Sequence, residues 1–313
     1  MRKVVFIFAA LALLAGCTID SPVIRDSELR MLFQPEMYSH VTDRSNNPFP
    51  TDQDFAVCAW NSERLVFGLT KAFSQEVMLT DSIRKVQVKD TLWAFADERI
   101  WPDKNQTISF SAFSPTDARC VVTKVKGVQW STDILEEQVD MLYSHKEMSR
   151  KENIDENVVH MCFSHALSQV SFRVKNRVDN TGALEPFNRP DKITIKRITI
   201  DGVKHSGSFC SLPSPTWTLD DDVQPLKIFE GTYQTAGTPE PIGTVWLMVP
   251  QKFDTTITVQ FQYTTFANTT ITQVLKTVPM KTTLEPGRAY TYTLSVGIDD
   301  VKFLQELIEE ELN

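Results

Sequence analysis

The sequence predicts an all-β fold of two consecutive antiparallel β-sandwich domains, followed by a short helical C-terminal tail. Three observations carry this. Apolar residues recur at every second position through most of the chain, the period of a half-buried strand. The runs are short, Pro, Gly and polar clusters separate them, and few stretches suit the crossover helices of a parallel sheet. With 313 residues, 42% hydrophobic and 23% charged, the chain is long enough for two domains that each bury a core.

Residues 1–16 read as an export signal. Arg2 and Lys3 precede an apolar run over 4–14 that is too short to span a bilayer, and Leu14-Ala15-Gly16-Cys17 closes it with small residues. The ending resembles the lipobox of bacterial lipoproteins, which implies cleavage before Cys17 and a diacylglyceryl group on its sulfur. At about 0.8 kcal/mol per buried methylene, several acyl chains hold a protein on a membrane. Residues 17–28 form a polar tether.

The N-terminal domain is expected over 29–156. Its first strand lies within 29–38, interrupted by Pro35, and a turn-rich segment over 39–54 contains Arg44, Pro48 and Pro50. Further strands are read at 54–60, 77–79, 86–88, 91–95 and 107–113, the last with Ile108, Phe110 and Ala112 on one face. The spacing of Ile134, Leu135, Val139 and Leu142 is closer to helical or irregular, and 146–157 reads as an exposed linker.

The C-terminal domain is expected over 157–297. It opens on the stretch the chain turns about, 158–174, where Val159, Met161 and Phe163, then Val170, Phe172 and Val174, keep one parity on either side of a break at 164–169. In 192–200 the pair Ile193 and Ile195 changes phase to Ile198 and Ile200, which predicts a bulge at Lys196. Strands follow at 207–212, 217–219, 245–249, 256–266, 271–281 and 289–296. In the tail, 298–313, Asp299 or Asp300 can cap a helix whose stripe is Val301, Leu304, Leu307, Ile308 and Leu312. Glu309, Glu310 and Glu311 oppose its dipole, so a solvated acidic tail stands beside a docked helix.

Chemistry is scarce. The net charge of −8, with no Lys/Arg cluster, argues against nucleic acid as a partner. The five His residues show no metal-binding spacing, and Cys58, Cys120, Cys162 and Cys210 lie dozens of residues apart, so neither a metal nor a cofactor is expected. In an exported protein the four read as disulfide partners; Cys58 and Cys162, inside strand-like runs, read equally as small buried hydrophobes. Gly207-Ser-Phe lacks the second Gly of a nucleophile elbow. His165 reads as a structural residue that bonds backbone at a strand break. No catalytic residue is assigned, and the chain is expected not to be an enzyme.

Several segments then resemble one family in order: the Cys17 lipobox; Arg44 with Pro48-Phe-Pro and Phe55-Ala-Val-Cys-Ala-Trp; Trp101-Pro with Ile108-Ser-Phe-Ser-Ala-Phe-Ser-Pro115; Met161-Cys-Phe-Ser-His-Ala-Leu-Ser-Gln-Val170; Gly207-Ser-Phe with Trp217; Leu247-Met-Val-Pro-Gln251; and Leu284-Glu-Pro-Gly-Arg-Ala-Tyr-Thr-Tyr292. Together they are similar to the Bacteroidetes-type fimbrillins, the Mfa-like lipoprotein subunits of type V pili. The resemblance implies two transthyretin-like sandwiches, outer-membrane anchoring through Cys17, and proteolytic removal of the first strand after an Arg. Arg44 is the best candidate; Arg25 and Arg30 are poorer because most of the strand would remain. It further implies other fimbrial subunits as partners through strand donation, which is edge repair by β-augmentation. Family members that polymerise end in strand-forming residues, so a helical tail favours a tip or anchor role over a stalk role. A tip can hold an adhesive surface for host protein or glycan. The alternative reading is a surface lipoprotein that binds glycan or host protein without polymerising.

Overall fold

A computed structural model describes residues 30–38, 47–50, 52–81, 86–97, 99–102, 106–150, 158–176, 192–264, 270–298, 300–304 and 310–311. Every regular element among them is a strand. The first half supplies β1 (Leu32–Met37), β2 (Asn47–Pro48), β3 (Phe55–Trp60), β4 (Leu65–Asp81), β5 (Val86–Phe95), β6 (Thr107–Ser114), β7 (Val121–Thr123), β8 (Gly127–Asp133), β9 (Leu142–Ser149) and β10 (Val158–His165). The second half supplies β11 (Ser168–Asn176), β12 (Lys192–Lys204), β13 (Ser206–Cys210), β14 (Thr216–Leu219), β15 (Val223–Gln234), β16 (Glu240–Met248), β17 (Lys252–Thr264), β18 (Thr270–Thr283), β19 (Arg288–Val296), β20 (Val301–Leu304) and β21 (Glu310–Glu311).

They form four sheets. An eight-stranded sheet runs β10-β9-β6-β3-β4-β5-β1-β2, and β1 also pairs with β10. In the second half, β16-β11-β19-β20 and β15-β12-β17-β18 are four-stranded paths, with β21 added on β19. The fourth sheet, β14-β13-β8-β7, joins β8 of the first half to β13 of the second along five register pairs.

The period-two reading holds on β6 and β12, whereas β3 is buried on both faces. On β6, Ile108, Phe110 and Ala112 are fully buried, and β12 buries Ile193, Ile195, Ile198 and Ile200. The register of β12 shifts between Ile195 and Arg197 against both neighbours, so the bulge lies at Lys196, where the phase change predicts it. Two large apolar clusters result. The first is aromatic, built on Phe33, Phe49, Phe55, Phe95, Phe110 and Phe163. The second is mainly aliphatic, with Ile193, Ile195, Ile257 and Val259 at its centre.

Three expectations change. Part of the segment read as an exposed linker is strand: β9 runs through Lys146 to Ser149, because pairing with β6 satisfies its backbone while Lys146 and Glu147 stay exposed. The central stretch divides after His165. β10 bonds to β9 and β1, which precede it, whereas β11 bonds to β16 and β19, which follow. The tail is not helical where it is described: β20 pairs with β19 from Val296↔Val301 to Thr293↔Leu304, and β21 pairs at Arg288↔Glu311 and Ala289↔Glu310. A short helix ending in three glutamates is marginal alone. The open edge of β19 offers the same residues a row of backbone partners, and Phe303 a seat on Tyr292, 5.0 Å between ring centroids.

Candidate functional site

The feature that sets the first half apart is how its sheet ends. β1 lies parallel to β10 over six register pairs, Leu32↔Val158 to Met37↔Phe163, and meets β5 at Phe33↔Trp93. The sheet therefore closes on itself through β1, and a closed sheet has no open edge at that point. Sequence explains the fit. Met31, Phe33 and Pro35 are buried on one parity; on the other Leu32 is buried, while Gln34 and Glu36 are half-buried. Pro35 has no N–H to give, which a strand tolerates where its partner is discontinuous; the register with β5 does not reach it.

Phe33 is the plug. Its ring stands edge-on to Phe55 at 5.8 Å, Phe95 at 5.3 Å and Phe110 at 5.8 Å, the T-shaped geometry in which positive edges meet negative faces. Phe49, from the Pro48-Phe49-Pro50 run, packs beside this socket on Phe163 and Trp93 at 4.9 and 6.0 Å. The backbone pins both ends of β1: Met31 N–H donates to the Arg99 carbonyl at 2.7 Å, and Tyr38 N–H to the Phe163 carbonyl at 2.7 Å. At roughly 1.5–3 kcal/mol per fully buried side chain, Met31, Leu32 and Phe33 contribute on the order of 5–9 kcal/mol, an upper bound. That is comparable with the ~5–15 kcal/mol that holds a domain together.

Of the residues singled out by sequence, Cys17, Arg25 and Arg44 lie outside the described residues. Arg30 is half-buried and forms a bridge with Ile100, one residue before Met31. His165 is 6% exposed, and its Nδ1 bonds the Asp140 carboxylate at 2.8 Å, not backbone as expected. The partner is 25 residues away in sequence, so no local pattern reveals it. Cys58, Cys120, Cys162 and Cys210 are free thiols; burial pushes Cys58 up to about 11 and Cys120 to about 12, well away from thiolate chemistry. Among the described residues, no group of three or more His, Cys, Asp or Glu is placed to hold a metal ion.

His205, passed over in the sequence, sits where β12 turns into β13. Its Nδ1 faces Asp133 at 2.9 Å and its Nε2 faces Asp222 at 3.3 Å. Carboxylates at both ring nitrogens require both to donate, which only the imidazolium can do. Burial works against that charge, but the hydrogen bonds and charges of Asp133 and Asp222 outweigh it and raise the His205 pKa above its ordinary value. The pair ties the end of β8 to the second half.

Sequence also missed the partners of β1. Parity shows which residues of a strand face inward; it carries no sign of the parallel neighbour more than a hundred residues away.

No curated protein matches the chain. Solved structures share the fold, among them two described as candidate cell adhesion proteins. One, from Bacteroides uniformis, is 10% identical with a TM-score of 0.53, covering 89% of this chain and 97% of its own. The other, from Bacteroides ovatus, is 12% identical with a TM-score of 0.53, covering 91% and 98%. A family model described as fimbrillin-like matches residues 41–309, and the chain belongs to that family.

Proposed function

We propose that this protein is a structural, non-enzymatic subunit of a cell-surface fimbria, and that β1 is the strand it exchanges with a neighbour. The observation that carries this is the closure of the first sheet by β1. The strand lies at the start of the fold, inserts Phe33 into an aromatic socket, and is followed by a turn-rich segment containing Arg44. Cutting after Arg44 separates β1 from the rest of the chain and leaves Phe49 behind. The opened sheet then offers two strand edges and an empty socket, an unstable state that an extended strand from another subunit repairs. In this reading Cys17 carries the lipid that holds the precursor on the outer membrane.

Other fimbrial subunits are the partners. A helical tail would favour a tip or anchor place; with β20 and β21 there instead, the tail gives no reason to put the subunit at either end of the fibre rather than in its stalk. The competing reading, a non-polymerising binder of glycan or host protein, expects clustered exposed aromatics. None of the six tryptophans is exposed: Trp60, Trp93, Trp101 and Trp130 are buried, and Trp217 and Trp246 are half-buried.

The test is the N-terminus of the protein recovered from its native surface. Mass spectrometry is expected to find chains beginning at Ser45. An assembled form that keeps lipidated Cys17 and an intact Arg44–Ser45 bond overturns the processing route.

A further inference from the structure

Pulling a protein by its ends loads each strand pair in one of two ways. Where the strand nearest one end lies parallel to the strand that leads to the other end, the force slides them past each other and loads every hydrogen bond between them together. Where the loaded ends are adjacent, the bonds open one at a time. This distinction follows from chain direction alone.

In this chain the parallel arrangement occurs twice along one path. β1 enters at Leu32 beside Val158 and runs parallel to β10, which leaves past Phe163 beside Met37. β10 passes into β11 through Ala166 and Leu167 only. β11 then runs parallel to β19 over eight register pairs, Gln169↔Ala289 to Asn176↔Val296, and β19 leads to the C-terminal tail. Tension between the two ends therefore shears β1 against β10 and then β11 against β19.

The link between the two pairs is pinned. Ala166 N–H donates to the Met141 carbonyl, Trp217 Nε1 to the Ala166 carbonyl, and Gly287 N–H to the Leu167 carbonyl, each at 2.8 Å; Ser168 Oγ donates to the Glu285 carbonyl at 2.7 Å. Side chains reinforce the second pair. Ser171 and Thr291 hydroxyls bond across it at 2.8 Å, and the Phe172 and Tyr292 rings pack at 5.7 Å. By contrast, the tail strands β21 and β20 are both antiparallel to β19, so tension on the C-terminus opens them in turn, β21 first and then β20.

We propose that this fold bears load: β1–β10 and β11–β19 are two shear clamps in series, with Ala166-Leu167 as the rigid coupling between them. The inference goes beyond subunit exchange and stands whether the strand beside β10 is the chain's own or a parallel replacement. Its failure would leave the fimbrial reading untouched.

Force spectroscopy on the full chain tests it, because changing the attachment points changes the loading without altering the sequence of the fold. Handles before Arg30 and after Glu311 are expected to give a low-force release of the segment beyond Val296, then a rupture several-fold stronger. Handles at Lys252 and Thr283, the paired open ends of the β17–β18 hairpin, are expected to unzip at low force. Handles at Tyr38 and after Glu311 load β1 from the end beside Phe163, so β1 peels off at low force while the β11–β19 rupture persists. Rupture through the two ends at forces no higher than the hairpin overturns the proposal. So does equal resistance of β1 when loaded from Tyr38 and from Arg30.

Discussion

β1 and β20 lie near opposite ends of the described chain, and each adds to a sheet, yet they are held by different physics. β1 has six register pairs with a parallel neighbour, a second neighbour in β5, and Phe33 fully buried among three rings. β20 has four register pairs on an outer edge, with Val301 6% exposed and Phe303 half-buried on one tyrosine. Losing β1 opens a core. Losing β20 uncovers an edge whose core stays shut. If β1 is exchanged as proposed, its replacement restores the whole of that stability, which is what a directional assembly step requires.

β1 and β20 belong to two different apolar clusters, and the largest effect expected tests whether these unfold separately. Phe172→Asp buries an unpaired charge in the second cluster, a cost of at least ~5 kcal/mol. Amide exchange should show β11, β12 and β19 losing protection while β3 and β6 retain most of theirs. Collapse of both halves together would erase the distinction. Next, Phe33→Ala should cost about 3–5 kcal/mol, the range for a buried aromatic, read from chemical unfolding followed in the first half. Phe303→Ala should cost only ~1–2 kcal/mol because its ring is only partly buried, at the edge of the second cluster. Equal losses would mean the two strands are not held differently.

The smallest effect separates both strands from pH. His205 has a raised pKa in the fold, so the stability it contributes is fully present below about 6.5, the unfolded value, and is lost as pH rises through the higher folded value. The expected loss is about 1 kcal/mol, the size of one charge-assisted bond to a partly exposed carboxylate. Thermal midpoints across this window should fall more steeply in the wild type than in His205→Gln. A parallel fall in the variant would assign the effect elsewhere. Phe33→Ala and Phe303→Ala should both keep the wild-type slope.

How much of this was legible in the sequence follows from what alternation encodes. Inward faces were readable: Ile108, Phe110 and Ala112, the four isoleucines of β12, and the bulge at Lys196 all follow from parity. Partners were not, because parity is blind to which strand lies alongside. Parity alone therefore groups Val158 to Phe163 with the strands that follow it and gives no sign of the role of Phe33. The tail failed for a related reason. Val301, Leu304 and Leu307 fit a helical stripe, and only the open edge of β19, built by residues far away in sequence, makes the extended form the better bargain. His205 carried no local signal, since Asp133 is 72 residues away.

The central claim is that β1 closes the first sheet as a separable strand. Its most direct measurement is amide exchange of β10 in a chain lacking residues 1–44, with and without a synthetic peptide of residues 29–40. Without the peptide, residues 158–163 should exchange rapidly while residues 192–204 stay protected. The peptide should restore protection, and the same peptide carrying Phe33→Ala should not. Unchanged protection of residues 158–163 in the shortened chain alone would contradict the account.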